Sequence, residues 1–290
     1  MMKNSEILAL TSKKRLAHFL ECDLRDLSLF ASDTCYRVFE AKPKGKLRRC
    51  EVPDGPNGGL KRAHDLVKNA LREEALPDWL YSCRGKDYVK NAACHACPNN
   101  YVINMDISKF YPSCTRHYVL QLFADKNFYG LPPDVAELLS KILTYQGHIP
   151  TGSSASSYLA FWSYYNCFEE IFRFATAKKY KVTLYVDDLT LSSPKNFPAK
   201  YREKCVRTIG NIMERYGLSV NEKKTRIAGP CQEKKVTGVK ITPKGEMLPP
   251  DELMRKIDWE NSIPKRERNP RRLVGLLAAR DRIRNFCHKL

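Results

Sequence analysis

The stretch Lys181-Val182-Thr183-Leu184-Tyr185-Val186-Asp187-Asp188-Leu189-Thr190-Leu191 leaves the backbone little choice. Val182, Leu184 and Val186 alternate with more polar neighbours, the period-two signature of a half-buried strand. Leu189, Thr190 and Leu191 continue as a second β-favouring run. Together they predict a hairpin with Asp187 and Asp188 at or beside its turn, where Asp fits because its side chain can bond its own backbone. Adjacent like charges on a hairpin tip repel each other unless a cation binds there. Taken alone, the pair is either a solvated turn or a cation site.

A second carboxylate sharpens the question. Tyr101-Val102-Ile103-Asn104-Met105-Asp106-Ile107 reads as a strand with Ile103, Met105 and Ile107 on one face and Val102, Asn104 and Asp106 on the other. A carboxylate ending such a strand is costly to bury unpaired and is a natural metal ligand, or else it is solvated or capping. Upstream, residues 5–30 suggest two amphipathic helices and residues 60–71 another, while residues 80–100 read as a loop rich in hydrogen-bonding side chains. Downstream, 115–146 is helical apart from Gly130-Leu131-Pro132-Pro133. Pro150-Thr151-Gly152-Ser153-Ser154 opens a long helix running to about residue 178, with Ser153 or Ser154 as its cap. A helix over 199–216 stops at Gly217, and 235–241 is a strand and turn.

Charge narrows the partners. Fifty Lys and Arg against 32 Asp and Glu give a net charge of +18, which favours a polyanion: nucleic acid or an anionic membrane surface. No apolar run reaches the ~18 residues of a spanning helix, and no charged-then-apolar signal pattern opens the chain. The expectation is a cytoplasmic protein without a membrane partner. The surplus concentrates in 263–290, with nine basic residues against two acids. Asn269 and Pro270 suit an N-cap and first helical position. Leu273, Leu276, Leu277, Ile283 and Phe286 then form an apolar stripe, leaving Arg271, Arg272, Arg280, Arg282 and Arg284 to track phosphates. A basic hairpin around Lys42, Lys46 and Arg48 suits a triphosphate. Eleven cysteines and no secretory signal imply reduced thiols. Cys94 and Cys97 lack the second pair of a structural zinc site, and metal binding there stays open.

In this order, a strand ending in Asp106, a small-residue helix entry and Tyr185-Val186-Asp187-Asp188 resemble the palm of a reverse transcriptase. Asn91-Ala92-Ala93-Cys94-His95 and Val236-Thr237-Gly238 resemble the Asn-Ala-x-x-His and Val-Thr-Gly elements of bacterial retron reverse transcriptases. The resemblance implies an α+β right-hand polymerase: N-terminal helices (1–34), fingers with a retron-type loop (35–100), a palm (101–243) with inserted fingers helices at about 115–150, and a basic helical thumb (244–290). It implies RNA-directed DNA synthesis, with two Mg²⁺ ions held by Asp106, Asp187, Asp188 and the carbonyl of Ile107. Lys224 would be a proton donor to pyrophosphate. Lys42, Lys46, Arg48, Tyr111, Thr151 and Gly152 would meet the incoming dNTP, Tyr111 by crowding a ribose 2′-hydroxyl. Thr151 stands where many relatives have Gln. Asn91, His95, Val236, Thr237 and Gly238, with the thumb arginines, would meet a structured non-coding RNA template-primer and its cDNA product. A retron effector protein and a role in antiphage defence belong to the same expectation. The alternatives are a defence-associated or group II intron-like reverse transcriptase, or a non-catalytic RNA-binding palm.

Overall fold

A computed structural model describes residues 5–42, 47–82, 85–193, 197–264, 266 and 269–287. The chain opens with three short helices, α1 (Ser5–Leu8), α2 (Lys13–Phe19) and α3 (Asp26–Phe30), where two were expected. Then come β1 (Tyr36–Ala41), β2 (Arg48–Pro53) and α4 (Gly59–Arg72). Next are α5 (Tyr88–Cys94), β3 (Tyr101–Asp106), α6 (Phe110–Ser113), α7 (Arg116–Ala124), α8 (Pro133–Ile142), α9 (Ser156–Ser163) and α10 (Tyr165–Ala177). The acidic hairpin is β4 (Lys181–Tyr185) and β5 (Asp188–Ser193), followed by α11 (Ala199–Arg215) and β6 (Arg226–Ala228). β7 (Lys234–Val236), β8 (Val239–Ile241), β9 (Met247–Leu248), α12 (Asp251–Ser262) and α13 (Pro270–Cys287) complete it. The architecture is α+β, and every sheet pairing is antiparallel. Among the described residues, no helix is long and apolar enough to cross a membrane.

The chain forms two compact units that interleave along the sequence instead of following linear segments. One comprises 1–77, 108–170 and 211–219, the other 78–107, 171–210 and 220–290. In the first, α7 packs on α8 and α9, and α4 on α9 and β2. The single helix expected after residue 152 is broken at Tyr164. That hydroxyl accepts from Thr115 N (3.0 Å) and donates to Ser113 O (3.2 Å), so the ring anchors the α6–α7 turn. Neither Ser153 nor Ser154 caps α9: Ser153 bonds the His64 ring (2.7 Å) and Ser154 donates to Asp65 (2.6 Å).

In the second unit, four strands lie in the order β4-β5-β3-β6 and three more in the order β7-β8-β9. Val102 on β3, Val89 and Ala92 on α5, Val236, Val239 and Ile241 on β7–β8, and Ile283 on α13 share one buried cluster. Residues 88–94 are therefore helix where loop was expected. Asp87 explains the difference: its carboxylate accepts from Val89 N and Lys90 N, both at 2.8 Å, and so caps a short segment that periodicity alone does not reveal. Asn269 caps α13 as expected, accepting from Arg272 N (3.2 Å).

Candidate active site

The site grows from two strand ends. β3 buries Val102, Ile103 and Met105 and ends at the partly exposed Asp106, whose register partner on β5 is Asp188. Tyr185 and Asp188 close the β4–β5 hairpin, leaving Val186 and Asp187 as its turn. Val186 takes φ +58°, a left-handed conformation that a β-branched side chain rarely adopts, so the turn is held under strain. Asp187 O accepts from Ile107 N at 3.0 Å, which ties the turn to the end of β3. Burial, then the Asp187 and Asp106 charges, push the Asp188 carboxyl up to about 6.

Cations and amides answer this acidity. Lys224 Nζ donates to Asp106 Oδ1 at 2.6 Å. Asn221 N donates to Asp106 O (2.7 Å) and Asn221 Nδ2 to Asp106 Oδ2 (3.4 Å). Asn221 thus orients the carboxylate. The sequence signal for it was the Asn221-x-x-Lys224 spacing, in which Lys224 alone was assigned a role. Asp106, Asp188, Lys224, Arg226, Lys235 and Thr237 line an open groove of about 860 Å³. Among the described residues no three His, Cys, Asp or Glu groups enclose a metal position unaided. The donor set still suits Mg²⁺, which takes one or two carboxylates and completes its shell with water and substrate phosphates. The Lys224 ammonium against Asp106 marks where positive charge is wanted.

Residues 11–241 match the family model described as reverse transcriptase (RNA-dependent DNA polymerase). The chain belongs to this family. It is 29% identical over 194 residues to the retron Se72 reverse transcriptase of Salmonella heidelberg, covering 66% of this chain and 50% of that protein. It is 28% identical over 220 residues to the retron Ec86 reverse transcriptase of Escherichia coli, covering 74% and 66%. The chain thus spans between half and two thirds of the length of these relatives. The fold is similar to telomerase from Candida albicans, solved with a fragment of telomeric RNA (TM-score 0.56, 12% identity, 79% of this chain and 51% of that one). Apo telomerase from Candida tropicalis gives a TM-score of 0.52 at 12% identity over 72% and 46%.

In this reverse transcriptase the Asn-Ala-x-x-His element is a buried strut. His95 is fully buried; one ring nitrogen bonds Ser192 Oγ (2.7 Å) and the other Thr183 Oγ1 (2.8 Å), so α5 grips both hairpin strands. Burial, with the Lys181 charge, lowers its pKa to about 3 and keeps it neutral. Asn91 and the Val236 side chain are buried too. As direct RNA contacts His95, Asn91 and Val236 are therefore corrected: their polar edges and surfaces face protein. Asn91 Nδ2 reaches Thr237 Oγ1 (3.5 Å), which donates to Tyr88 O (2.7 Å). Thr237 and Gly238 both have positive φ, +44° and +86°, and face the groove. His95→Leu would strand two buried hydroxyls. It is expected to cost about 2–3 kcal/mol of stability, read from the urea midpoint at unchanged slope. Neutral His95 also predicts acid lability: stability present above pH 6.5 is lost as pH falls towards 3.

The other assigned residues divide. Lys46 lies outside the described residues; Lys42 and Arg48 are exposed beside the β1–β2 connection. In the same unit, Thr151 Oγ1 donates to Arg49 O (2.8 Å), Thr151 N to Glu51 Oε2 (3.2 Å) and Gly152 N to Glu51 O (3.1 Å). Thr151 and Gly152 thus stitch their loop to β2, and Glu51, which also pairs with His148 at 3.0 Å, is a residue the sequence did not single out. The Tyr111 hydroxyl shares a hydrogen bond with Ser157 (2.9 Å). In the C-terminal segment Arg271 and Arg284 are exposed, Arg280 pairs with Asp281 (2.7 Å) and Arg272 with Glu260 (2.8 Å). Cys94 Sγ meets the Tyr81 hydroxyl (2.7 Å), so Cys94 and His95 are each engaged elsewhere than with Cys97.

Proposed function

We propose that the chain is an RNA-directed DNA polymerase of the retron type, copying part of a structured non-coding RNA into single-stranded DNA. The observation that carries this reading is the pairing of Asp106 with Asp188 at the lip of a cation-lined groove. Two Mg²⁺ ions held by Asp106, Asp187, Asp188 and the Ile107 carbonyl would supply activation of the primer hydroxyl and charge neutralisation on the departing pyrophosphate. The primer oxygen attacks the α-phosphorus of the dNTP; the bond to pyrophosphate breaks and the primer proton is released. The first primer is a 2′-hydroxyl of the bound RNA, later ones the 3′-ends of the cDNA. Asn221 holds Asp106 in place, and Lys224 supplies the proton that pyrophosphate takes up. Lys42, Lys46 and Arg48 grip the triphosphate.

Tyr111 screens the sugar. Tyr111→Ala is expected to reduce discrimination against ribonucleotides by about 10- to 100-fold, with dNTP incorporation retained, in single-nucleotide extension assays. Support for the retron assignment comes from the Asn-Ala-x-x-His and Val-Thr-Gly elements and from the retron relatives. A partner effector protein, a cytoplasmic location and a part in antiphage defence follow from the same reading. Sequencing nucleic acid bound to the purified protein tests it: a branched RNA–DNA hybrid is expected. DNA synthesis on added template without any such hybrid would assign the chain to another class of reverse transcriptase.

A further inference from the structure

Three tryptophans report very different surroundings. Trp79 and Trp162 are 7% and 5% exposed, whereas Trp259 on α12 is 54% exposed. An indole left in water on a charged helix has no packing reason to be there. Its neighbourhood is cationic: Arg255, Lys256 and Arg272 line a shallow hollow of about 320 Å³ with Trp259 and Glu252. Glu252 is already paired with Lys256 (2.6 Å). The Arg272 guanidinium lies 5.0 Å from the indole centroid. It is held there by Glu260, a carboxylate 1% exposed and 2.8 Å away. Glu260 accepts no aligned hydrogen bond, so the link is one of charge. The buried Glu260 thus pre-positions the guanidinium over the ring, and Arg272 is spent within the protein instead of tracking phosphates.

We infer that Trp259 is a stacking platform for one unpaired base of a single-stranded RNA, with Arg255 taking a flanking phosphate. With Arg272 over the ring, the exposed remainder of the indole still offers π-surface that any base can cover, and the hollow of about 320 Å³ has the volume for one nucleobase. The surrounding cations and the overall charge of +18 favour a polyanion over an apolar protein partner. A duplex hides its π-faces in its own stack, so the platform selects unpaired segments. The inference rests on the nucleic-acid reading of the chain and is independent of its chemistry.

The test uses the full chain without dNTPs. Because the other two indoles are buried, a loss of tryptophan emission on adding RNA reports mainly on residue 259. A ten-nucleotide single-stranded RNA is expected to quench it, and the same sequence annealed to its complement to quench it far less. Trp259→Leu should abolish the quench and weaken single-strand binding about tenfold, measured by anisotropy of a labelled RNA, while Trp259→Tyr restores most of the affinity. Asp187→Asn should quench like the parent protein, which separates this proposal from the polymerase assignment. Equal quenching by duplex, or unchanged affinity in Trp259→Leu, overturns it. So does a concentration-dependent dimer that Trp259→Leu dissolves, since the indole would then be an interface between copies.

Discussion

Asp188→Asn is expected to abolish DNA synthesis while making the protein more stable. The two effects have one cause. Asp188 lies beside Asp106 and Asp187 in a partly desolvated position, and its carboxyl is pushed up to about 6. An acid with a raised folded pKa stabilises the fold below its unfolded value, near 4, and that stability is lost as pH rises through 6. At pH 7 the ionised form is a burden of about 1–2 kcal/mol, after allowance for its partial solvation. An amide removes the burden and, with it, the proposed metal ligand. Extension of an RNA-templated primer should fall by about 10³-fold or more, in line with several kcal/mol of lost transition-state charge stabilisation. Thermal unfolding at pH 7 should occur a few degrees higher, and the gain should disappear at pH 4. Mg²⁺ should raise the midpoint of the parent protein and not of the variant. A variant that lost activity by misfolding would show the opposite shift in midpoint.

Gly152→Ala is the second large effect. A Cβ there would stand 2.7 Å from Val52 Cγ2 and 2.8 Å from Glu51 O, and the latter is backbone that cannot swing aside. The Pro150-Thr151-Gly152 loop or β2 must move. The expected cost is about 2–4 kcal/mol in denaturant unfolding. If β2 gives way instead, the KM for dNTPs should rise with a smaller change in kcat, because the proposed triphosphate contacts Arg48 and Lys42 ride on that hairpin. Gly275→Ala is the control: its added methyl meets open space on α13, and the substitution should stabilise by about 0.5–1 kcal/mol.

The strands and their carboxylates were legible because period-two patterning and strand-end Asp are local signals. Asp106 and Asp187-Asp188 could be read as strand ends, and antiparallel pairing then placed them opposite one another. Helix α5 was not legible: seven residues show too little periodicity, and its cap, Asp87, reads equally well as a loop acid. The roles of His95, Thr151 and Gly152 were hidden for another reason. Their partners, Thr183 and Ser192 for His95 and the β2 backbone for the loop, lie 88 to 102 residues away, and only the folded chain reveals that these polar groups face protein. Arg272 is similar, since nothing local links it to Glu260.

One short helix serves both sides of the groove. His95 at the end of α5 fastens the strands that carry Asp187 and Asp188, and Asn91, one turn earlier, reaches the Thr237 turn. Neither side is free to be exchanged on its own. Exchanging the Val-Thr-Gly turn alone puts the Asn91–Thr237 contact at stake, and exchanging the Asn-Ala-x-x-His helix alone puts the His95 bonds to the acidic hairpin at stake. Exchanging these motifs between this chain and a relative therefore calls for moving the two as a pair.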